Sequence, residues 1–211
     1  SMEEKRMIQN IIFDMGGVLV ENDEPWPEAM KALGLPDAPR ENSPYIHLYR
    51  AAARGDITSM EFSLLVAERA KLPRPTENYW KKFFRPTLKT ETAKLIKAIK
   101  KSDARIVCGT NTFDVYYDYL SEAGFYADFD KVYASCFMHT RKPDVSFWQY
   151  IRNEEKTYDF SDMLFFDDSE ANVRAAESLG IHAHRFTGAD KAKEFILSVS
   201  GNDCKIDFNK F

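Results

Sequence analysis

The chain has 211 residues, 44% of them hydrophobic and 29% charged, a balance typical of globular proteins that build a core without disulfides or metal. At roughly 100–200 residues per domain this length fits one large domain or a domain carrying an insert, and it excludes repeat arrays and mini-proteins. Lys+Arg at 29 against Asp+Glu at 33 leaves a net charge of −4, so no cationic surplus exists for a polyanion and nucleic acid is not expected as a partner.

Cys108, Cys136 and Cys204 are odd in number and far apart, which suggests neither a disulfide framework nor a zinc site. No apolar run approaches the ~18 residues that cross a bilayer, and Ser1–Arg6 lacks the apolar stretch of a signal peptide. Ser1 ahead of Met2 resembles a remnant of tag removal. A cytoplasmic protein without a membrane partner, as a monomer or homodimer, is the expectation.

In chain order, Met7–Phe13 is short, β-prone and bounded by Asp14-Met15-Gly16-Gly17, which predicts a buried strand ending in a Gly-rich turn. From about Glu21 to Leu88 the pattern is helical, broken at Gly34-Leu35-Pro36 and Leu72-Pro73-Arg74-Pro75, with no clear strand. Beyond Thr90 helices and strands alternate: helix Glu91–Lys101, strand Ala104–Gly109, helix Asp114–Ala123, strand Lys131–Phe137, helix Val145–Glu155, strand Met163–Phe166, helix Glu170–Leu179 and strand Ile181–Phe186. Such alternation predicts a parallel sheet. The lone first strand must join it, giving an α/β protein: a Rossmann-like parallel sheet core of residues 1–20 and 89–211, with residues 21–88 inserted as an α-helical cap.

Ligands of such sheets bind beyond the carboxyl ends of the strands. Four of those ends or adjoining loops carry reactive groups: Asp14, Thr110-Asn111, Lys142-Pro143 and Asp167-Asp168. The Thr110 hydroxyl and the N–H groups after it lead into a helix N-terminus, suited to an anion or to capping. Pro143 disfavours a helical Lys142 and suits the first helical position itself. The adjacent carboxylates of Asp167 and Asp168 repel unless a cation compensates, and oxygen ligands of this kind suit Mg²⁺. Together these groups compose a phosphoryl-transfer site, with a carboxylate nucleophile, phosphate-binding donors, a fixed cation and a metal anchor.

Phe13-Asp14-Met15-Gly16-Gly17-Val18-Leu19, Thr110-Asn111, Lys142-Pro143 and Phe165-Phe166-Asp167-Asp168-Ser169-Glu170-Ala171-Asn172-Val173 resemble the four ordered motifs of the haloacid dehalogenase superfamily. The insert resembles the small helical cap of its subfamily I, and Arg54-Gly55-Asp56-Ile57-Thr58 resembles a cap segment of the glucose-1-phosphatase-like branch. The resemblance implies that Asp14 attacks phosphorus to form an aspartyl-phosphate, that Thr110 and the Asn111 amide hold phosphoryl oxygens, and that Lys142 neutralises charge. It implies Mg²⁺ on Asp14, the Gly16 backbone carbonyl and Asp168, with Asp167 acting through water or from behind, and Asn172 orienting the loop.

One position departs from that pattern. Phosphatases of the superfamily usually carry an Asp two residues after the nucleophile as general acid, and here Gly16 stands there. Losing a general acid costs on the order of 10²–10⁴ in rate, less for a good leaving group, so a small phosphorylated metabolite with a sugar 1-phosphate favoured is the expected substrate. Glu21 or Asp23 of the cap is a candidate replacement donor. Among the cap aromatics Trp26, Tyr45, His47, Tyr49, Phe62, Tyr79, Trp80, Phe83 and Phe84, most are assigned to packing, with Trp26 and His47 singled out to face a substrate. Three rival readings exist. A receiver domain places its acidic pair before the accepting Asp and lacks an insert; a haloacid dehalogenase leaves Asp167-Asp168 without purpose; and a silent phospho-ligand or protein-binding member is motivated by Gly16.

Overall fold

The computed structural model describes residues 8, 10–156, 159–200 and 206–210. Met7 and Gln9 of the expected first strand, Ser1–Arg6, residues 202–205 of the tail, Cys204 among them, and Phe211 lie outside the described residues. Within that tail, Ile206 and Phe208 pack against the core and Phe208–Lys210 forms a 3-10 turn, not an edge strand.

The five strands are β1 (Asn10–Phe13), β2 (Arg105–Thr110), β3 (Lys131–Ala134), β4 (Met163–Asp167) and β5 (His182–Arg185). They lie in the order β3-β2-β1-β4-β5, and every pairing is parallel. The central strand is therefore the first in sequence, with Ile12 in register with Val107 on one side and Phe165 on the other. Strand order reverses at β1, so its carboxyl end opens onto the crevice where such sheets hold ligands.

Side chains alternate across each strand, and the burial follows that period. Ile11, Phe13, Ile106, Cys108, Leu164 and Phe166 point into one apolar layer, while Ile12, Val107, Met163 and Phe165 point into the other. On the second face Phe147, Trp148 and Ile151 of α8 (Ser146–Glu155) and Val173 and Ala176 of α9 (Glu170–Ser178) complete the layer. The first face packs α5 (Thr90–Lys100), α6 (Asp114–Glu122) and α10 (Ala189–Ser200), through Ile96 and Ile99, Leu120, and Ala192 and Ile196.

The insert consists of α1 (Trp26–Leu33), α2 (Ile46–Ala53), α3 (Ser59–Arg69) and α4 (Tyr79–Phe83), with a 3-10 turn at Arg40–Asn42. Its apolar residues continue the first layer of the sheet. Phe113, at the start of α6, lies 5.0 Å from Tyr49, 5.5 Å from Trp80 and 6.0 Å from Phe62, ring to ring. Helix α3 opens with a complete capping box between Thr58 and Glu61, which satisfies donors the helix itself leaves open. Gly55 sits at φ +75°, and a Cβ there would stand 1.8 Å from the Cys136 carbonyl oxygen, so the insert docks on the sheet domain backbone to backbone at this point. No helix among the described residues is long and apolar enough to cross a membrane.

Three expectations need correction. The strand predicted to reach Phe137 stops at Ala134 and turns into α7 (Ser135–Met138); the buried Ser135 hydroxyl accepts the Thr112 N–H at 2.9 Å and fixes the turn, leaving Phe137 58% exposed. Pro143 occupies the turn ahead of α8 and is not its first residue. Helix α10 was not anticipated, although Ala192 and Ile196 are buried at the i, i+4 spacing of one helical face.

Candidate active site

Asp14 follows β1, and its N–H donates to the Phe166 carbonyl at 2.9 Å, so the sheet ladder itself carries this carboxylate to the crevice. Lys142 reaches the same point from the loop before α8 and is 1% exposed. Its Nζ lies 2.9 Å from Asp14 Oδ1, 2.7 Å from Asp167 Oδ2 and 2.8 Å from the Gly109 carbonyl. An ammonium has three donors, and all three are used. The ammonium is a buried charge, not a solvated surface one.

Asn111 secures that loop. Its Nδ2 donates to the Lys142 carbonyl and its Oδ1 accepts the Lys142 N–H, both at 2.9 Å. The Asn111 carboxamide is thus occupied with the lysine's backbone, and does not face a phosphate. The Lys142–Pro143 peptide bond is cis. Thr110 is buried at the end of β2 and lines the cavity; α6 takes Phe113 as its N-cap, so Thr110 does not cap it.

Asp167 is 0% exposed. Besides Lys142, it accepts the Ser169 N–H on Oδ1 at 2.8 Å and Asn172 Nδ2 on Oδ2 at 3.1 Å. Asn172, one turn into α9, therefore steadies this carboxylate directly, while Ser169 caps the helix. Asp168 is half-buried, and its carboxylate crowds Gly17, where a Cβ would lie 2.1 Å from Oδ2. Gly17 has φ +78°, a backbone glycine adopts at no steric cost.

Oxygens of Asp14, Asp167 and Asp168 all lie within 4.8 Å of one another. Burial, then the Asp167 charge, pushes the Asp14 carboxyl up to about 7. Burial and Asp167 raise Asp168 likewise. Burial alone would lower Lys142, yet the Asp14 and Asp167 carboxylates hold it above the usual lysine range. Three carboxylates thus face one ammonium, a surplus of negative charge that fits a divalent cation with oxygen ligands. The Met15 carbonyl receives the N–H groups of Val18, Leu19 and Val20, and Gly17 N–H goes to Val20. None of these bonds uses the Gly16 carbonyl, so the donor set proposed for Mg²⁺ is chemically compatible with the residues present.

Above these groups lies a cavity of about 420 Å³. Its walls come from the insert and from the loop before Lys142. The Tyr49 hydroxyl donates to Glu24 at 2.7 Å and accepts from Arg40 at 2.8 Å; Arg40 also pairs with Glu24 and Glu41. Burial and Glu24 hold the Tyr49 phenol well above its ordinary range. Arg141, Phe84 and Tyr116 complete the wall. Glu21 and Asp23 line the cavity as well, and burial with the nearby Glu21 raises Asp23. No side chain extends from Gly16; Asn22 Oδ1 is 3.9 Å from where its Cβ would be.

Trp26 and His47 do not line this cavity. The Trp26 indole donates to the Ala38 carbonyl at 2.9 Å and its rings pack on Tyr49 and Trp80, while His47 lies outside beside Arg69. Sequence reasoning missed Glu24, Arg40 and Arg141. For Arg141 a signal existed: a second basic residue immediately before the motif lysine.

Two curated relatives align with nearly the whole chain. Drimenol cyclase drtB of Aspergillus calidoustus is 24% identical over 93% of this chain, but the alignment spans only 37% of that protein. The D-ribitol-5-phosphate phosphatase of Bacteroides thetaiotaomicron is 26% identical over 92% of this chain and 100% of its own length. Among solved structures, a HAD family enzyme of Bacteroides thetaiotaomicron in complex with magnesium and inorganic phosphate superposes with a TM-score of 0.69 at 23% identity, covering 86% of this chain and 95% of that one. The family model for haloacid dehalogenase-like hydrolases matches residues 8–180, and with the parallel sheet and the clustered motif residues this places the chain in the haloacid dehalogenase-like hydrolase family.

Proposed function

We propose that the chain is a Mg²⁺-dependent phosphatase of a small phosphorylated metabolite, acting through an aspartyl-phosphate on Asp14. The observation that carries this reading is the buried Asp14–Lys142–Asp167 ion triad with Asp168 beside it at the floor of a cavity. The Asp14 carboxylate attacks phosphorus as the ester P–O bond breaks, and water later cleaves the acyl phosphate to release phosphate and restore Asp14. Thr110 and the Asn111 backbone N–H hold phosphoryl oxygens, and Lys142 offsets their charge. Asp14, Asp168 and the Gly16 carbonyl would hold the metal, with Asp167 supporting from behind through Lys142 and Asn172. When bound, Mg²⁺ supplies charge stabilisation to the transferring phosphoryl group.

Residues 21–88 act in this reading as a cap domain over a core of 1–20 and 89–211, excluding water and selecting substrate by shape. With Gly16 in place of the usual acid, Asp23 or Glu21 on the cavity wall supplies the leaving-group proton. A leaving group that needs little protonation favours a sugar 1-phosphate and the glucose-1-phosphatase-like branch, whereas the ribitol-phosphate relative is named for a phosphate on a primary alcohol. Both classes belong in one panel.

Phosphate release from sugar, acyl and alkyl phosphates, with and without Mg²⁺, is expected from the native protein only with the metal. Asp14→Asn is expected to lower it by about 10⁴-fold or more. Halide release from a haloacid without Mg²⁺ would select the dehalogenase reading instead. Gly16 favours one second reading, a silent phospho-ligand binder, which predicts that beryllium fluoride and Mg²⁺ bind while no ester is turned over.

A further inference from the structure

We propose that the wall of the cavity facing Asp14 contains a carboxylate-binding subsite centred on Arg141, so that the substrate is a phosphorylated acid. This deepens the phosphatase reading and rests on it.

The argument begins with the pairing of charges around the cavity. Arg40 is matched by Glu24 and Glu41 and by the Tyr49 hydroxyl. Arg141, which lines the same cavity, has no ion pair among the described residues, and its Nε is buried without a hydrogen-bond partner. Its electrostatic neighbours are Tyr49, Arg50, Arg40 and Asp144. It therefore turns from the catalytic loop toward the insert, where two further cations, Arg50 and Arg40, stand near it. Arg50, exposed on α2 and also lining the cavity, has no ion pair among the described residues either. Burial pulls the Arg141 guanidinium below its ordinary range, with Arg50 and Arg40 adding to that and Tyr49 and Asp144 opposing it.

A second, independent group points the same way. Tyr116, from α6, is 6% exposed, and its hydroxyl is buried on the cavity with no partner. Buried donors left unpaired are costly, and buried charges more so. Both residues line one cavity, and neither atom has a hydrogen-bond partner among the described residues, so each is a donor that acceptor oxygens of a ligand would complete. Guanidinium is a donor-only planar fork that matches two oxygens of a carboxylate, and its charge calls for an anion where a hydroxyl would leave it unneutralised. The phosphoryl end of the molecule is already committed to Asp14, Thr110 and Lys142, so the second anion belongs to the part of the substrate that leaves.

The test compares matched pairs on the Mg²⁺-loaded protein: ribitol 5-phosphate with 5-phosphoribonate, and glucose 6-phosphate with 6-phosphogluconate, with fructose 1,6-bisphosphate as a second-phosphate arm. The native protein is expected to favour the acid of each pair in kcat/KM by at least about tenfold, chiefly through KM. Arg141→Gln is expected to erase that ratio, Arg141→Lys to keep part of it, and Tyr116→Phe, which retains the ring's packing, to reduce it by a smaller factor. Equal use of acid and neutral partner, a preference for the polyol or the bisphosphate, or an acid preference untouched by Arg141→Gln would each overturn the subsite while leaving the phosphatase intact. Failure of the native protein to hydrolyse p-nitrophenyl phosphate and every ester in the panel would bring down the phosphatase reading, and the subsite with it.

Discussion

The floor and the wall of the cavity are built on different terms. At the floor the two most deeply buried charges are spoken for: Lys142 uses its three donors, and Asp167 receives Lys142, Ser169 and Asn172. Asp14 and Asp167 sit at strand ends whose spacing the ladder fixes, and Lys142 reaches them from the loop before α8. The wall is drawn from the insert, from α6 and from the loop before Lys142, and there a paired arginine, Arg40, stands in the same cavity as Arg141, which has no ion pair among the described residues. A closed network holds reacting atoms in place. An open one leaves donors for a ligand to satisfy, which is where selectivity resides.

The sharpest break of this contrast is Lys142→Met. Removing the one ammonium strands Asp14 and Asp167 as buried carboxylates, and loss of one partner of a buried ion pair costs about 3–5 kcal/mol. Denaturant unfolding of the metal-free protein should show that fall, and a midpoint that stays put would mean the floor is not the closed network described. Gly55→Ala tests the joint between the two regions. Its left-handed backbone and the 1.8 Å approach to Cys136 predict a loss of about 1–3 kcal/mol, together with a raised KM as the insert shifts on the sheet. A variant that melts like the native protein would show that the insert does not depend on this contact. Tyr49→Phe is the mildest change: it removes the hydroxyl between Glu24 and Arg40, where a net loss of about 1 kcal/mol is expected. Its KM should change more than its kcat, and the reverse split would tie the wall to the chemistry.

The contrast also separates what the amino-acid order makes legible from what it hides. Asp14, Thr110 and Asp167-Asp168 are legible because apolar strands are short and a polar residue at the end of one must lie at the sheet's end, whereas Lys142 is read from the proline after it. Their partners are harder to read. Nothing in the spacing says that the Asn111 carboxamide binds the Lys142 peptide, a contact between loops that follow different strands. Trp26 and His47 show the limit for helices, where periodicity tells which residues share a face but not which surface that face meets. The apolar pair Cys136-Phe137 extends the predicted strand because so short a run does not distinguish strand from a single helical turn. Ser135, bonded to Thr112, made the difference from a distance.

The place of β1 in the sheet has a consequence for how the protein is made. Its two neighbours, β2 and β4, are encoded far downstream, so a nascent chain makes this buried central strand before both of its partners and must keep its edges unpaired until they follow. Non-local parallel pairing of this kind closes slowly and leaves strand edges open to aggregation. The helices of the insert emerge in that interval, and α1 against α4 and α2 against α3 can bury part of their aromatic surface on one another meanwhile. Asp14 becomes a site only when β4 arrives, because its N–H bonds to Phe166 and its lysine is anchored by Asp167. A chain stopped before that strand lacks both contacts, so the assembled Asp14–Lys142–Asp167 cluster reports that synthesis has passed β4 and that β4 has joined the sheet.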